Sequence, residues 1–313
     1  MGRIVANLRQ ASERFRRPGQ GRGTQRPGHI ETMTDPTRTN SLTGAIARAA
    51  LVALVLLMPA LLIPTIPPET AQVLLLVALF AAAVVTAEYL SSYPALIEFR
   101  FAAPFNRTRF ALLALLVVAL SFLKRGQEAG GALTDLVAGV ASACGRMLDI
   151  PFSPVRQLLA LMPDPPPADT VLLIRDGASL GLVLALTTVV GFVTAIRLQL
   201  WPMGQGPFNV WVNLPTFEPT AGNDVVLRLQ RHARVNVALG LMMPFVLPGL
   251  ALASAIMVRP VDLGSPISFV WGLSLWAFIP AALVMRGVAM ARLAQMIRAN
   301  RREEARAILS AII

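Results

Sequence analysis

Cysteine is nearly absent. Cys144 is the single cysteine in 313 residues, which excludes an intrachain disulfide, and with two histidines it leaves no Cys/His spacing for a structural zinc. Charge is scarce as well: Asp, Glu, Lys and Arg make up 14% of the chain against 55% hydrophobic residues, where a soluble domain carries about 25% charged residues. The mean hydropathy of +0.62 points the same way. Lysine is reduced to Lys124, so arginine carries almost all of the positive side of a net charge of +11. These arginines lie in the tails and between apolar runs, not along one continuous face, which argues for a lipid bilayer as partner and against nucleic acid. No glycine-rich phosphate loop, GxSxG or HExxH is present. His232 is the only histidine outside the N-terminal tail, and nothing marks a serine partner for it. The expectation is a chain that is not an enzyme and has no catalytic, metal or cofactor-binding residues.

What is present is long apolar helix. Residues 1–40 are rich in Arg, Gly, Gln, Pro and Thr and read as a disordered basic tail, with Met33 an alternative start. No cleaved signal peptide is expected, the first hydrophobic helix serving as its own signal. That helix starts near Ser41, a good N-cap, and carries Pro59 towards its far end. The second runs from about Thr70 to Leu90. Phe110–Leu123 is the third; at about 14 residues it rises only about 21 Å, against the ~30 Å of a hydrocarbon core, so it reads either as a re-entrant segment or as a span completed by flanking arginines. Gly177–Arg197, Val235–Met257 and Pro266–Met285 follow. The fold class is thus all-α, a polytopic helical membrane protein with about six transmembrane helices plus interfacial amphipathic helices.

With six spans, the positive-inside rule places most arginines on one side, with only Lys124, Arg125, Arg146, Arg156, Arg175 and Arg259 opposite. Both termini are then cytoplasmic. The resulting organisation is 41–123 for the first three spans, 124–176 for an outer segment, 177–286 for the last three spans with a cytoplasmic loop at 198–234, and 287–313 for a basic amphipathic C-terminal helix. In the outer segment, Leu133, Leu136, Val137, Val140, Cys144, Met147 and Leu148 follow helical spacing, and Ser153 caps a second short helix at Pro154. Both read as interfacial.

Two cytoplasmic loops each carry Pro-Phe-Asn, in "FAAPFNRTRF" and "GQGPFNVWVN", among aromatic residues suited to the headgroup zone. They read as one inner-face platform, a candidate docking surface made of Glu88, Glu98, Arg100, Phe105, Asn106, Arg107, Phe208, Asn209, Trp211 and His232, or as a solvated loop pair carrying orientation charges. A third reading makes Glu88, Glu98 and His232 a small-molecule or metal site. In the fifth span Pro244, Pro248 and Gly249 form a candidate kink, which either packs or frees backbone carbonyls to line a path. The span interiors lack ionisable residues, which disfavours proton coupling.

At "EYLSSYPALIEFR", "APFNRTRF" and "NLPTFEPT" the chain resembles uncharacterised polytopic inner-membrane proteins of alphaproteobacteria, from about Thr39 onward. The resemblance implies a bacterial inner membrane and brings no activity or site residue. The functional expectation is an accessory, assembly or scaffold component with a membrane-protein partner or a second copy of itself. The alternatives are a transporter or channel for an apolar or amphipathic solute, and a membrane enzyme acting on lipid through His232 or Glu98.

Overall fold

The computed structural model describes residues 36–91, 96–99, 102–160, 167–198, 201, 214, 224–255 and 262–312. Two compact units divide the chain, Met1–Thr39 and Asn40–Ile313. Of the first, only the start of a helix is described, and the expectations made for residues 1–35 lie outside the described residues.

Eight helices are found among the described residues: α1 (Pro36–Leu62), α2 (Pro68–Leu90), α3 (Phe105–Arg125), α4 (Ala132–Leu148), α5 (Pro154–Ala160), α6 (Ala168–Arg197), α7 (Val225–Ala255) and α8 (Pro266–Ile312). No strand occurs among these residues. Six helices, α1 to α3 and α6 to α8, are long and apolar enough to cross a membrane, so the chain is an all-α multi-pass membrane protein. The third run extends at its polar end to Phe105, giving 21 residues and about 31 Å of helix, which is the length of a crossing.

Small residues set the packing, as they must where lipid is as apolar as leucine and close approach supplies the attraction. A Cβ built on Gly177 of α6 would come within 2.8 Å of Phe269 and 3.0 Å of Leu273 on α8, and 3.2 Å of Leu120 on α3. Gly181, one turn on, faces Ala277 and Leu116. The three-helix centre formed by α3, α6 and α8 therefore closes on Leu116, Leu120, Phe269 and Leu273, all fully buried or nearly so. α7 runs along α8 on a seam of Val226, Leu229, Ala233, Asn236, Gly240, Pro244 and Pro248. Gly240 sits against the Pro280 carbonyl and Gly287 against the Ala233 carbonyl, each less than 3 Å from where a Cβ would be. By contrast α2 buries only Ala78; Val73, Leu76, Leu79 and Phe80 are exposed, as side chains facing lipid are.

One end of the bundle is stitched by its turns. The Lys124 ammonium donates to the Gly264 carbonyl at 3.2 Å, Arg125 to the Leu62 carbonyl at 3.1 Å, and Thr65 to the Glu128 carboxylate at 2.6 Å. α4 lies against α6 at this end. Its packing face is made of the small residues Thr134, Ala141 and Gly145, while Leu133, Leu136, Val140 and Met147 from the expected apolar stripe point outward. α5 begins as read from sequence, with the Arg156 amide donating to the Ser153 hydroxyl at 3.1 Å.

Candidate functional site

At the other end of the bundle a short strap, the described residues 96–99 and 102–106, is fixed to four helices. It starts at α2, where the Glu88 carboxylate accepts hydrogen bonds from the amides of Leu96 and Ile97 at 3.0 and 3.3 Å. Next, the Glu98 carboxylate receives Arg286 of α8 through two parallel bonds, Nε to Oε2 at 2.6 Å and Nη2 to Oε1 at 2.7 Å. This fork geometry is the strongest form of carboxylate recognition available to a side chain. Arg286 also donates Nη1 to Asn236 Oδ1 of α7 at 3.0 Å, and the Asn236 amide donates onward to the His232 carbonyl at 2.7 Å. Finally the Asn106 amide of α3 returns to the Glu98 carbonyl at 2.7 Å.

Aromatic rings hold the strap from beneath. Phe99 takes φ of +54°, a left-handed conformation uncommon for a bulky residue, and is held there by its neighbours. Its ring lies 4.4 Å from that of Phe105 and 5.8 Å from Trp201; Phe192 of α6 closes the cluster, at 5.7 Å from Phe105 and 6.1 Å from Trp201. The Trp201 indole donates to the Ala102 carbonyl at 3.1 Å, so the ring also carries a polar tie. Arg109 lies between the rings of Phe105 and Phe278, 5.4 and 5.8 Å from their centroids. Its Nε is buried with no hydrogen-bond partner.

Of the residues named from sequence, the structure brings Glu98, Phe105 and Asn106 together in the strap and Glu88 of α2 against it, each engaged within the chain. Phe105 is fully buried, and the Glu98 side chain keeps 11% of its surface. Arg107 is exposed beside them, and His232 is exposed on α7. Arg100, Phe208, Asn209 and Trp211, and with them the second Pro-Phe-Asn copy, lie outside the described residues. From sequence, Arg286 reads as an orientation charge, Arg109 as a flanking loop charge and Trp201 as a headgroup-zone aromatic, and nothing marks Asn236. The available signal was an arginine interrupting "LVMRGVAM" and an asparagine in "RVNVALG", since polar groups set in continuous helix near a membrane need partners.

The arrangement is structural chemistry: a bidentate ion pair, a relayed amide and a sealed aromatic base. Among the described residues no three of His, Cys, Asp and Glu converge as metal ligands. In the fifth crossing, α7 continues through Pro244 and Pro248, both buried on the seam with α8. Pro248 has no amide hydrogen to give the carbonyl four residues back, and that carbonyl, of Pro244, accepts the Trp276 indole N–H at 3.0 Å instead. Gly249 faces open space.

A comparison with family models, curated proteins and solved structures returns no match for this chain.

Proposed function

We propose that this chain is a non-enzymatic scaffold or assembly component of a bacterial inner membrane, which holds a protein partner on a helical arm projecting from the bilayer. The observation that carries the reading is the length of α8. Its 47 residues extend about 70 Å, against a hydrocarbon core of about 30 Å, so more than half of the helix stands clear of a membrane in which its apolar first half is seated. The projecting part is not left loose. Arg301 pairs with Asp224 at 2.8 Å and Arg298 donates to Gln230 at 2.9 Å, so the start of α7 runs alongside it. Arg302, Glu303 and Arg306, with the exposed Ile308 and Leu309, give the arm a mixed charged and apolar surface of the kind that seats a partner.

The positive-inside pattern supports a cytoplasmic arm, and with six spans both termini fall on that side. The strap then belongs to the cytoplasmic surface, where Glu98–Arg286 fixes the root of the arm to α2 and α3. The transport alternative loses support at Pro244, whose freed carbonyl is already occupied by Trp276. The lipid-enzyme alternative loses support at Glu98, whose carboxylate is held by Arg286.

The test is purification of the tagged full chain from native membranes in mild detergent, with native mass spectrometry of the eluate, beside a variant ending at Asn300. The proposal expects a stoichiometric protein partner with the full chain and its loss from the shortened one, which still inserts. A lone protein or homo-oligomer in both samples would overturn it.

A further inference from the structure

An open groove runs between α3 and α6. It has a volume of about 380 Å³ and is lined by Arg107, Thr108, Ala111, Leu112, Leu115 and Thr188. Its polarity is graded along the membrane normal. Arg107 sits two residues inside the start of the α3 span, at the level where a crossing helix leaves hydrocarbon for headgroups. Leu115 lies eight residues further on, about 12 Å deeper, and is 48% exposed. Between them come alanine, leucine and threonine.

The polar groups of this groove have one gap among them. Thr108 donates its hydroxyl to the Pro104 carbonyl at 3.2 Å and Thr188 donates to Leu184 at 2.8 Å, so neither has a proton left for a ligand. Arg107 is exposed and has no ion pair or hydrogen bond among the described residues. Among the described residues no carboxylate lines the groove. A free guanidinium at headgroup depth, above an apolar channel and with no acid beside it, matches a phosphate joined to an acyl chain. It does not match a headgroup amine, which would meet only Arg107. Basic pockets between transmembrane helices recognise anionic lipid in this way.

We infer that this groove is a binding site for one anionic phospholipid, its phosphate on Arg107 and an acyl chain lying over Ala111, Leu112 and Leu115. The site is independent of any partner on the α8 arm. Occupied, it fills the cleft between α3 and α6 beside the strap.

The test uses the full chain, purified and stripped of lipid, then titrated with phosphatidylglycerol or with phosphatidylcholine while native mass spectrometry counts bound lipid. Wild type should bind its first phosphatidylglycerol about fivefold more tightly than phosphatidylcholine, the factor that one basic side chain supplies at an anionic membrane surface. Arg107→Gln should abolish that preference, whereas Arg302→Gln, which removes the same charge from the projecting arm, should leave it intact. Ala111→Phe, on an exposed position of α3, should fill the groove and weaken both lipids. Loss of the preference in Arg302→Gln as well, its survival in Arg107→Gln, or its absence from wild type would overturn the site. Should Ala111→Phe fail to fold, the comparison of the two arginine variants decides alone.

Discussion

Pro248 removes an amide hydrogen from the middle of α7, and Trp276 supplies one from α8, so the two residues are coupled through the Pro244 carbonyl. Trp276→Phe should lower stability by about 1–3 kcal/mol, the penalty for a buried acceptor left unmade. In a Pro248→Ala background the helix regains its own donor and the same change should cost much less, a non-additivity readable from thermal melts in detergent. Glu98 and Arg286 are coupled more tightly. With 11% and 27% of their side-chain surface exposed, Glu98→Gln or Arg286→Met should each cost about 3 kcal/mol, the lower end for a broken buried pair, while the double variant should recover part of the loss. Equal and additive losses would show the pair to be idle. At Cys144, burial first and the neighbouring Asp176 carboxylate second push the thiol above its ordinary pKa. Since the thiolate is the reactive form, maleimide labelling of folded protein should rise at higher pH than that of a free thiol; Asp176→Asn should move the profile back only part of the way, burial being the larger cause. These residue-scale features were the least legible part of the sequence. Glu98 could be named from its loop, but its partner lies 188 residues away on another helix, and no local pattern encodes that distance.

Helices, in contrast, could be read directly, because an apolar run of about twenty residues admits few other structures in lipid. Their ends could not. α3 begins five residues before the expected Phe110, since Asn106, Arg107, Thr108 and Arg109 look like loop by polarity. Yet Asn106 is bonded to the strap and Arg109 is set between two rings, so their polar atoms are accommodated within helix. The stripe on α4 is legible from spacing, but how it divides is not: Leu133, Leu136, Val140 and Met147 turn outward, Val137, Cys144 and Leu148 pack on the core, and the small residues let α6 approach. The same logic governs the α7–α8 hairpin. Gly240→Ala and Gly287→Ala should each destabilise by about 1–3 kcal/mol, because the new methyl group meets backbone that cannot rotate away. Gly249→Ala, into open space on the same helix, should be neutral or slightly stabilising through helix propensity. A matched set of melts separates the close-contact glycines from the free one.

The molecule as a whole is six membrane-length helices, the last of which continues into an arm paired with the start of α7, with a strap fixing the root of the arm by an ion pair. The body follows from composition. The arm follows from one helix that does not end where its apolar run ends, and this could be anticipated because "RGVAMARLAQMIRANRREEARAIL" contains no proline and only one glycine, Gly287, at its very start. Its pairing with α7 could not, because Asp224 and Gln230 lie some seventy residues upstream in a segment read as loop. The most direct test is labelling by a membrane-impermeant maleimide in sealed vesicles of known orientation, on a Cys144→Ser background, with Ser310→Cys in the arm and Gly130→Cys in the turn after α3. The account predicts that Ser310→Cys reacts only from the cytoplasmic side and Gly130→Cys only from the opposite one. Reaction of both from one side, or protection of Ser310→Cys from either, would contradict a six-span body with a projecting arm.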